Sequence, residues 1–127
     1  AAAVSDFLIR NKTKGKIKSN KELSLELMPN TKIFEKIKGM KKNIFLIGFK
    51  AEYKLSEERL KKRAFNSLKK AKADMIVAND VGKNKVFGSD FNEVIIIGKN
   101  KKSKKIKRSD KKVIAEKIVD EIKRKII

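Results

Sequence analysis

The sequence predicts an α/β fold in which helices cover a largely parallel sheet, and three observations carry that expectation. Segments that read as strands alternate along the chain with segments that read as helices. Two of the strand segments, "NIFLIGF" (43–49) and "MIVAN" (75–79), are unbroken apolar runs, the pattern of strands covered on both faces. The helical segments are apolar along one stripe and lysine-rich elsewhere, so each has a single face to bury.

Taken in order, "AAAV" at the start reads as the end of a central strand whose small residues let another segment or a ligand come close. Asp6 then lies just past that strand. Residues 8–20 are basic, aperiodic and contain Gly15, which predicts a long loop. "ELSLELM" (22–28) alternates Leu23, Leu25 and Leu27 with polar neighbours, as a strand with one wet face does. "NTKIFEKIKGM" (30–40) carries Ile33, Phe34, Ile37 and Met40 at helical spacing, with Asn30 or Thr31 as cap and Gly39 near the end. In "SEERLKKRAFNSLKKAKA" (56–73), Ser56 and the acids after it mark a helix start, and Leu60, Ala64, Leu68 and Ala71 form the apolar stripe. "EVIIIG" (93–98) is a further strand ended by Gly98, and "KKIKR" (104–108) a short edge strand. The last helix spans 109–127, with Ser109 as N-cap and Val113, Ile114, Ile118, Val119, Ile122 and Ile126 as its buried face.

Composition narrows the chemistry. The 127 residues amount to one domain or less. Cysteine and histidine are both absent, which excludes disulfides, thiolate catalysis, Ser-His-Asp triads and His-ligated zinc. No apolar run nears the roughly 18–20 residues of a membrane span, so the expectation is a soluble cytoplasmic protein. Lys and Arg outnumber Asp and Glu by 35 to 15, a formal charge of +20 that calls for an anionic partner. Nucleic acid is one such partner. That alternative, a basic nucleic-acid-binding module, rests on charge alone, because no base-stacking pattern of aromatic and basic residues accompanies it. Phosphorylated small molecules suit the same field.

Four clusters fall at predicted strand–helix junctions, where open α/β sheets bind ligands. They are Asp6-Phe7, "MPNTKI" before the first helix, "GFKAE" (48–52) and "AND" (78–80), with the lysine-bearing loop 12–20 able to fold across them. Helix N-termini and lysines together suit a polyphosphate. Each cluster also has an ordinary reading. Asp6 can cap a turn, Lys16 can be one more solvated lysine, "AND" can end a strand, and Phe49 can be core. Neither GxxxxGK[ST] nor GxGxxG occurs.

Taken together, "AAAVSDF", "KIK", "LSLELMPNTKIFEKI", "IGFKAE", "ADMIVANDV" and "FGSDFNEVIII" resemble, in this order, the C-terminal half of the phosphopantothenoylcysteine synthetases, in their archaeal form. The resemblance covers nearly the whole chain and implies a Rossmann-like three-layer sandwich that works as a dimer. It implies a ligase joining 4'-phosphopantothenate to L-cysteine. CTP (ATP in some members) and magnesium form an acyl-nucleotidylate and release pyrophosphate, and the cysteine amine then displaces the nucleotide. Position by position, the resemblance places Asp6 at the nucleotide and near its cation, and makes Lys16 the catalytic lysine on the triphosphate. Asn30, Thr31, Lys32 and Ile33 match a nucleotide-contacting turn, Phe49 lies beside the nucleotide, and Ala2, Ala3 and Asn79 are structural or on the substrate side. Ser19 stands where the family often has lysine. The family's two helix lysines have no clear match, since Ser67 falls near the first, with Arg63, Lys69 and Lys70 nearby. The oxyanion donor and a glycine-rich loop belong to the family's upstream half. The expectation is therefore a single partial domain over 1–127, lacking its N-terminal strands, with 8–20 as a mobile active-site loop and no turnover by these residues alone.

Overall fold

The computed structural model describes residues 4–20, 22–82 and 88–126. The chain divides into two compact units, Ala1–Ile33 and Phe34–Ile127.

In the first unit, β1 (Phe7–Ile9) and β2 (Leu27–Pro29) form an antiparallel ribbon with Leu8 opposite Met28. The Arg10 amide donates to the Glu26 carbonyl at 2.9 Å, and the Asn30 amide donates to the Asp6 carbonyl at 2.8 Å, which lengthens the ladder at both ends. Two-stranded ribbons are marginal on their own, and Phe7, Leu8, Ile9, Leu27 and Met28 all remain exposed. The strand expected over 22–28 contracts to its last two residues plus Pro29. Leu23 and Leu25 are exposed, because the partner strand is only three residues long and the pairing stops at the bond from Arg10 to Glu26. The expected loop begins two residues later than Leu8, since Leu8 and Ile9 belong to β1. Ala1–Ala3 of the expected first strand lie outside the described residues. Val4 and Ser5 are not in a strand, and Asp6 precedes β1 instead of following a strand.

The second unit is a three-layer sandwich. Its sheet has the order β3-β4-β5-β6, from β3 (Ile47–Glu52), β4 (Met75–Asp80), β5 (Phe91–Gly98) and β6 (Ser103–Asp110). One face, with Ile76, Ala78, Ile95 and Ile97, packs against Leu60, Ala64, Leu68 and Ala71 of α2 (Glu57–Ala71) and against Phe34 and Ile37 of α1 (Ile33–Met40). The other face, with Met75, Val77, Val94, Ile96 and Ile106, packs against Ile114 and Ile118 of α3 (Lys111–Ile126). Burying each large aliphatic chain is worth about 1.5–3 kcal/mol, so these two layers hold the fold. Ala64 and Ala71 are fully buried. Their small side chains let α2 lie close on the strands.

The fold is α/β as expected, and the sheet is mixed. β3 and β4 are parallel, joined by α2, whereas β4–β5 and β5–β6 are antiparallel. Parallel neighbours need a crossover, and only β3 and β4 have a helix between them. "EVIIIG" reads as apolar throughout because helices cover both faces, and that pattern is blind to strand direction. β3 lies about four residues later than "NIFLIGF" predicts.

The helix caps follow the sequence in part. Ser56 caps α2, its side chain accepting from the Arg59 amide at 3.3 Å. α3 is capped by Asp110, which accepts from the Lys112 amide at 2.7 Å. Ser109 lies one residue too early to be the cap, and its hydroxyl instead donates to the Lys107 carbonyl at 2.9 Å. The buried line of α3 is narrower than expected. Val113, Val119 and Ile126 are exposed, as are Ile33 and Met40 on α1, because a single sheet face covers only positions four apart.

Asp74 ties together the amino ends of the strands. It accepts from the Leu46 amide at 2.8 Å and pairs with Lys38 at 2.7 Å and with Lys99. Burial pushes its carboxyl up, but the bonds from Lys38, Lys99 and the Leu46 amide outweigh this and bring it down from 3.8 to about 2. A carboxyl depressed on folding adds stability that is fully present above the unfolded value and lost as pH falls through the folded one. Asp74→Asn is therefore expected to cost about 2 kcal/mol at neutral pH. It should also flatten the acid limb of the stability curve between about pH 4 and pH 2. An acid-unfolding curve of unchanged shape would contradict this role.

Candidate functional site

Two groups of sequence-predicted site residues come together, one in each unit. In the first unit the β1–β2 ribbon brings Asp6 and Asn30 side by side. Beyond the backbone bond between them, the Asn30 side-chain amide donates to the Ser5 carbonyl at 2.9 Å, and its oxygen accepts from the Thr31 amide at 2.7 Å. Asn30 is thus spent on fixing the turn that leads into α1 and does not cap the helix. Thr31, Lys32 and Ile33 follow it and are all exposed. The Asp6 carboxylate makes no hydrogen bond or ion pair among the described residues, and no group of three or more metal-ligating side chains occurs among them. Lys16 is exposed and has no partner among the described residues; it follows Gly15, whose φ of +95° favours glycine. Ala2 and Ala3 lie outside the described residues.

In the second unit the site gathers at the carboxyl end of β3 and β4. The register sets Phe49 opposite Val77 and Ala51 opposite Asn79. By the two-residue alternation of strands, Phe49 and Asn79 therefore share the face of Ile47, Met75 and Val77, on diagonal positions. α3 covers Met75 and Val77 and leaves Phe49 open. Phe49 is 74% exposed, which overturns its reading as core. An aromatic ring left uncovered in mid-strand, next to a half-buried amide, is suited to stack on a planar ligand.

The backbone here is held by two acids whose roles the sequence hid. The Asp80 carboxylate accepts from the amides of Lys54 at 2.8 Å, Leu55 at 2.9 Å and Gly82 at 2.8 Å. It clamps the β3–α2 turn to the end of β4, and the Val81 amide adds a bond to the Glu52 carbonyl at 2.7 Å. The spacing Asp80-x-Gly82 is a turn signal that announces part of this. Glu52 takes Lys50 at 3.2 Å and Arg63 at 2.8 Å. No local pattern announces that pair, since it depends on how α2 lies over β3. Arg63, one of the three cations near the unmatched helix lysines, is thereby engaged within the chain, whereas Lys69 and Lys70 are exposed.

The chain as a whole is similar to known proteins. The model of the DNA/pantothenate metabolism flavoprotein C-terminal domain matches residues 1–126. The coenzyme A biosynthesis bifunctional protein CoaBC of Thermococcus kodakarensis is 45% identical over 124 residues, 98% of this chain and 30% of that protein. The CoaBC of Methanocaldococcus jannaschii is 44% identical over the same shares. This chain thus spans about a third of the length of the curated relatives it matches. A crystal structure of the DNA/pantothenate metabolism flavoprotein from Streptococcus pneumoniae superposes with a TM-score of 0.72 at 33% identity, covering 86% of this chain and 45% of that one. With the whole sandwich, the ribbon and every quoted motif inside the match, this chain belongs to the DNA/pantothenate metabolism flavoprotein C-terminal domain family.

Proposed function

We propose that this chain supplies the nucleotide side of a ligase of coenzyme A biosynthesis that joins 4'-phosphopantothenate to L-cysteine with CTP as co-substrate. The observation that carries the reading is the open sheet face at the carboxyl end of β3 and β4, where Phe49 stands 74% exposed beside Asn79. The uncovered ring lies on the same sheet face as the half-buried side chain of Asn79, and together they offer a stacking surface and a polar group to a planar ligand. The relatives named CoaBC supply the pathway.

In this reading Phe49 takes the flat part of the nucleotide, and the resemblance assigns nucleotide contacts to Asn30, Thr31, Lys32 and Ile33. Lys16 neutralises the triphosphate. The carboxylate of phosphopantothenate attacks the α-phosphorus and pyrophosphate leaves. The cysteine amine then adds to the acyl carbon, loses a proton and expels CMP. Neither step needs histidine, because the work is alignment and charge compensation. Magnesium fits this chain in its usual mode, one carboxylate plus substrate phosphates. The resemblance assigns Asp6 as the carboxylate that would hold it, and the bound ion would supply further charge neutralisation on the phosphates. A soluble cytoplasmic location accompanies the proposal, and no helix among the described residues is long and apolar enough to cross a membrane.

The exposed apolar side chains of β1 and β2 are the surface we assign to a second copy of the chain, since burying them would stabilise a ribbon too small to stand alone. A purely monomeric mass at micromolar concentration would refute that assignment.

Release of pyrophosphate dependent on CTP and phosphopantothenate tests the ligase reading. The protein carrying the family's upstream half is expected to turn over, and residues 1–127 alone are not. Random RNA should not replace CTP in raising the melting temperature. Turnover by the 127 residues alone, or stabilisation by RNA and not by CTP, would refute the reading.

A further inference from the structure

The amino ends of β3 and β4, opposite the end that carries Phe49 and Asn79, hold a group of cations for which the ligase chemistry has no use. Lys38 of α1, Lys42 of the loop after it, Lys72 at the end of α2 and Lys99 after β5 line a cavity of about 300 Å³ together with Gly39. Three separate stretches of chain, 38–42, Lys72 and Lys99, converge there.

Their protons are not equally committed. The Lys38 ammonium faces three acceptors, the Asp74 carboxylate at 2.7 Å, the Ile44 carbonyl and the Lys42 carbonyl at 3.4 Å, which uses all three of its protons. It is a strut inside the fold. Lys99 gives one proton to Asp74 and keeps two, on a side chain 58% exposed. Lys42 and Lys72 are exposed, and their ammoniums have no partner among the described residues.

The ordinary explanation is that lysines gather where helices end, because the carbonyl pole is negative. α1 and α2 do both end at this cavity. The magnitudes decide against that as the whole account. Each helix terminus is equivalent to roughly −0.5 charge, so two termini and Asp74 amount to about −2 against four ammoniums. A surplus of about +2 remains, in a concave site with Gly39 leaving its wall open. Lys72 also occupies the C-cap with φ at 52°, where glycine is the unstrained choice. The chain tolerates a strained lysine there, and the result is one more cation on the cavity.

We propose that this cavity binds a phosphate dianion, either free phosphate or the phosphate of a small monoester, through Lys42, Lys72 and Lys99, with Lys38 and Asp74 as its frame. The charge matches the surplus, and three ammoniums on separate segments can reach three oxygens of one phosphate. The site shares no residue with the nucleotide side and stands or falls independently of it.

Calorimetric titration of the intact protein tests this, with inorganic phosphate in one arm and glycerol 3-phosphate in the other. The tighter arm identifies the source. Lys42→Ala combined with Lys72→Gly is expected to weaken the tighter ligand at least about tenfold, while Lys16→Ala leaves it unchanged. Because glycine relieves the left-handed backbone at 72, the double variant should melt no lower than wild type. If it does melt lower, Lys42→Ala alone, an exposed side chain outside any helix or strand, carries the same direction of effect. Absence of binding by the wild type, binding unchanged by the Lys42 and Lys72 substitutions, or binding lost with Lys16→Ala would each overturn the proposal.

Discussion

Lys16→Ala in the intact protein is expected, if the proposed ligase reading holds, to lower kcat by about 10²–10³-fold, the usual cost of removing one charge that meets negative charge built up in the transition state. The expectation is sharp because Lys16 has no structural duty: it is exposed, outside any helix or strand, and without a partner among the described residues. Its removal should therefore leave the melting temperature and the acid limb of the stability curve untouched. Lys16→Arg keeps the charge but not its shape, so it should recover part of the rate. If Lys16 were one more solvated lysine in a chain with 35 basic residues, both variants would turn over like wild type. A steady-state assay of pyrophosphate release separates the two outcomes, and a loss in KM alone would move Lys16 from transition-state stabilisation to ground-state binding.

Gly48→Ala is expected to cost about 2–3 kcal/mol, as overpacking a fitted core does. A Cβ at residue 48 would stand 2.3 Å from Cζ of Phe34 and within 2.9 Å of both Cε atoms, well inside contact distance. The ring tip of α1 is thus seated directly on the backbone of β3. Phe34 is half-buried in the same apolar layer as Ile37, Leu55 and Phe65, so its ring would have to turn away from these neighbours to admit the Cβ. The glycine of "IGFKAE" is there for that close approach, and the next residue, Phe49, is the open ring of the candidate site. A drop of several degrees in melting temperature should follow. Phe34→Leu should restore part of it in the double variant, while lowering stability when made alone. Equal melting temperatures for Gly48→Ala and wild type would show that the ring yields freely and that nothing depends on the contact.

The sequence announces those features that depend on period and local chemistry. α2 with its Ser56 cap, β4, β5 and the edge strand β6 are all expected and all present, because stripes at 3.6 residues and apolar runs reflect which faces are covered. Strand direction is not a local property. β5 runs antiparallel to β4, yet its residues carry the same double-sided apolar run as a parallel strand. Leu23 and Leu25 show the converse. They alternate like a strand, but alternation reports only that a covered face is possible, and nothing in their own unit covers it. In the candidate site, Phe49 and Asn79 were legible as motif members, while the exposure of Phe49 was not, since it ends an apolar run and the extent of α3 over the sheet decides what stays open. The same holds for Asp74, an acid before a strand in sequence, and in space the junction of Leu46, Lys38 and Lys99, with residues 28, 36 and 25 positions away.

The central claim is that the uncovered face at the carboxyl end of β3 and β4 is where the nucleotide sits. Binding of CTP with magnesium to the intact wild-type protein and to Phe49→Ala, measured by calorimetry without the other substrates, tests it most directly. The account predicts affinity at least about fivefold weaker in Phe49→Ala, the worth of one lost base–aromatic stacking contact, with the melting temperature unchanged because the ring is already exposed. CTP affinity equal in the two proteins would contradict it.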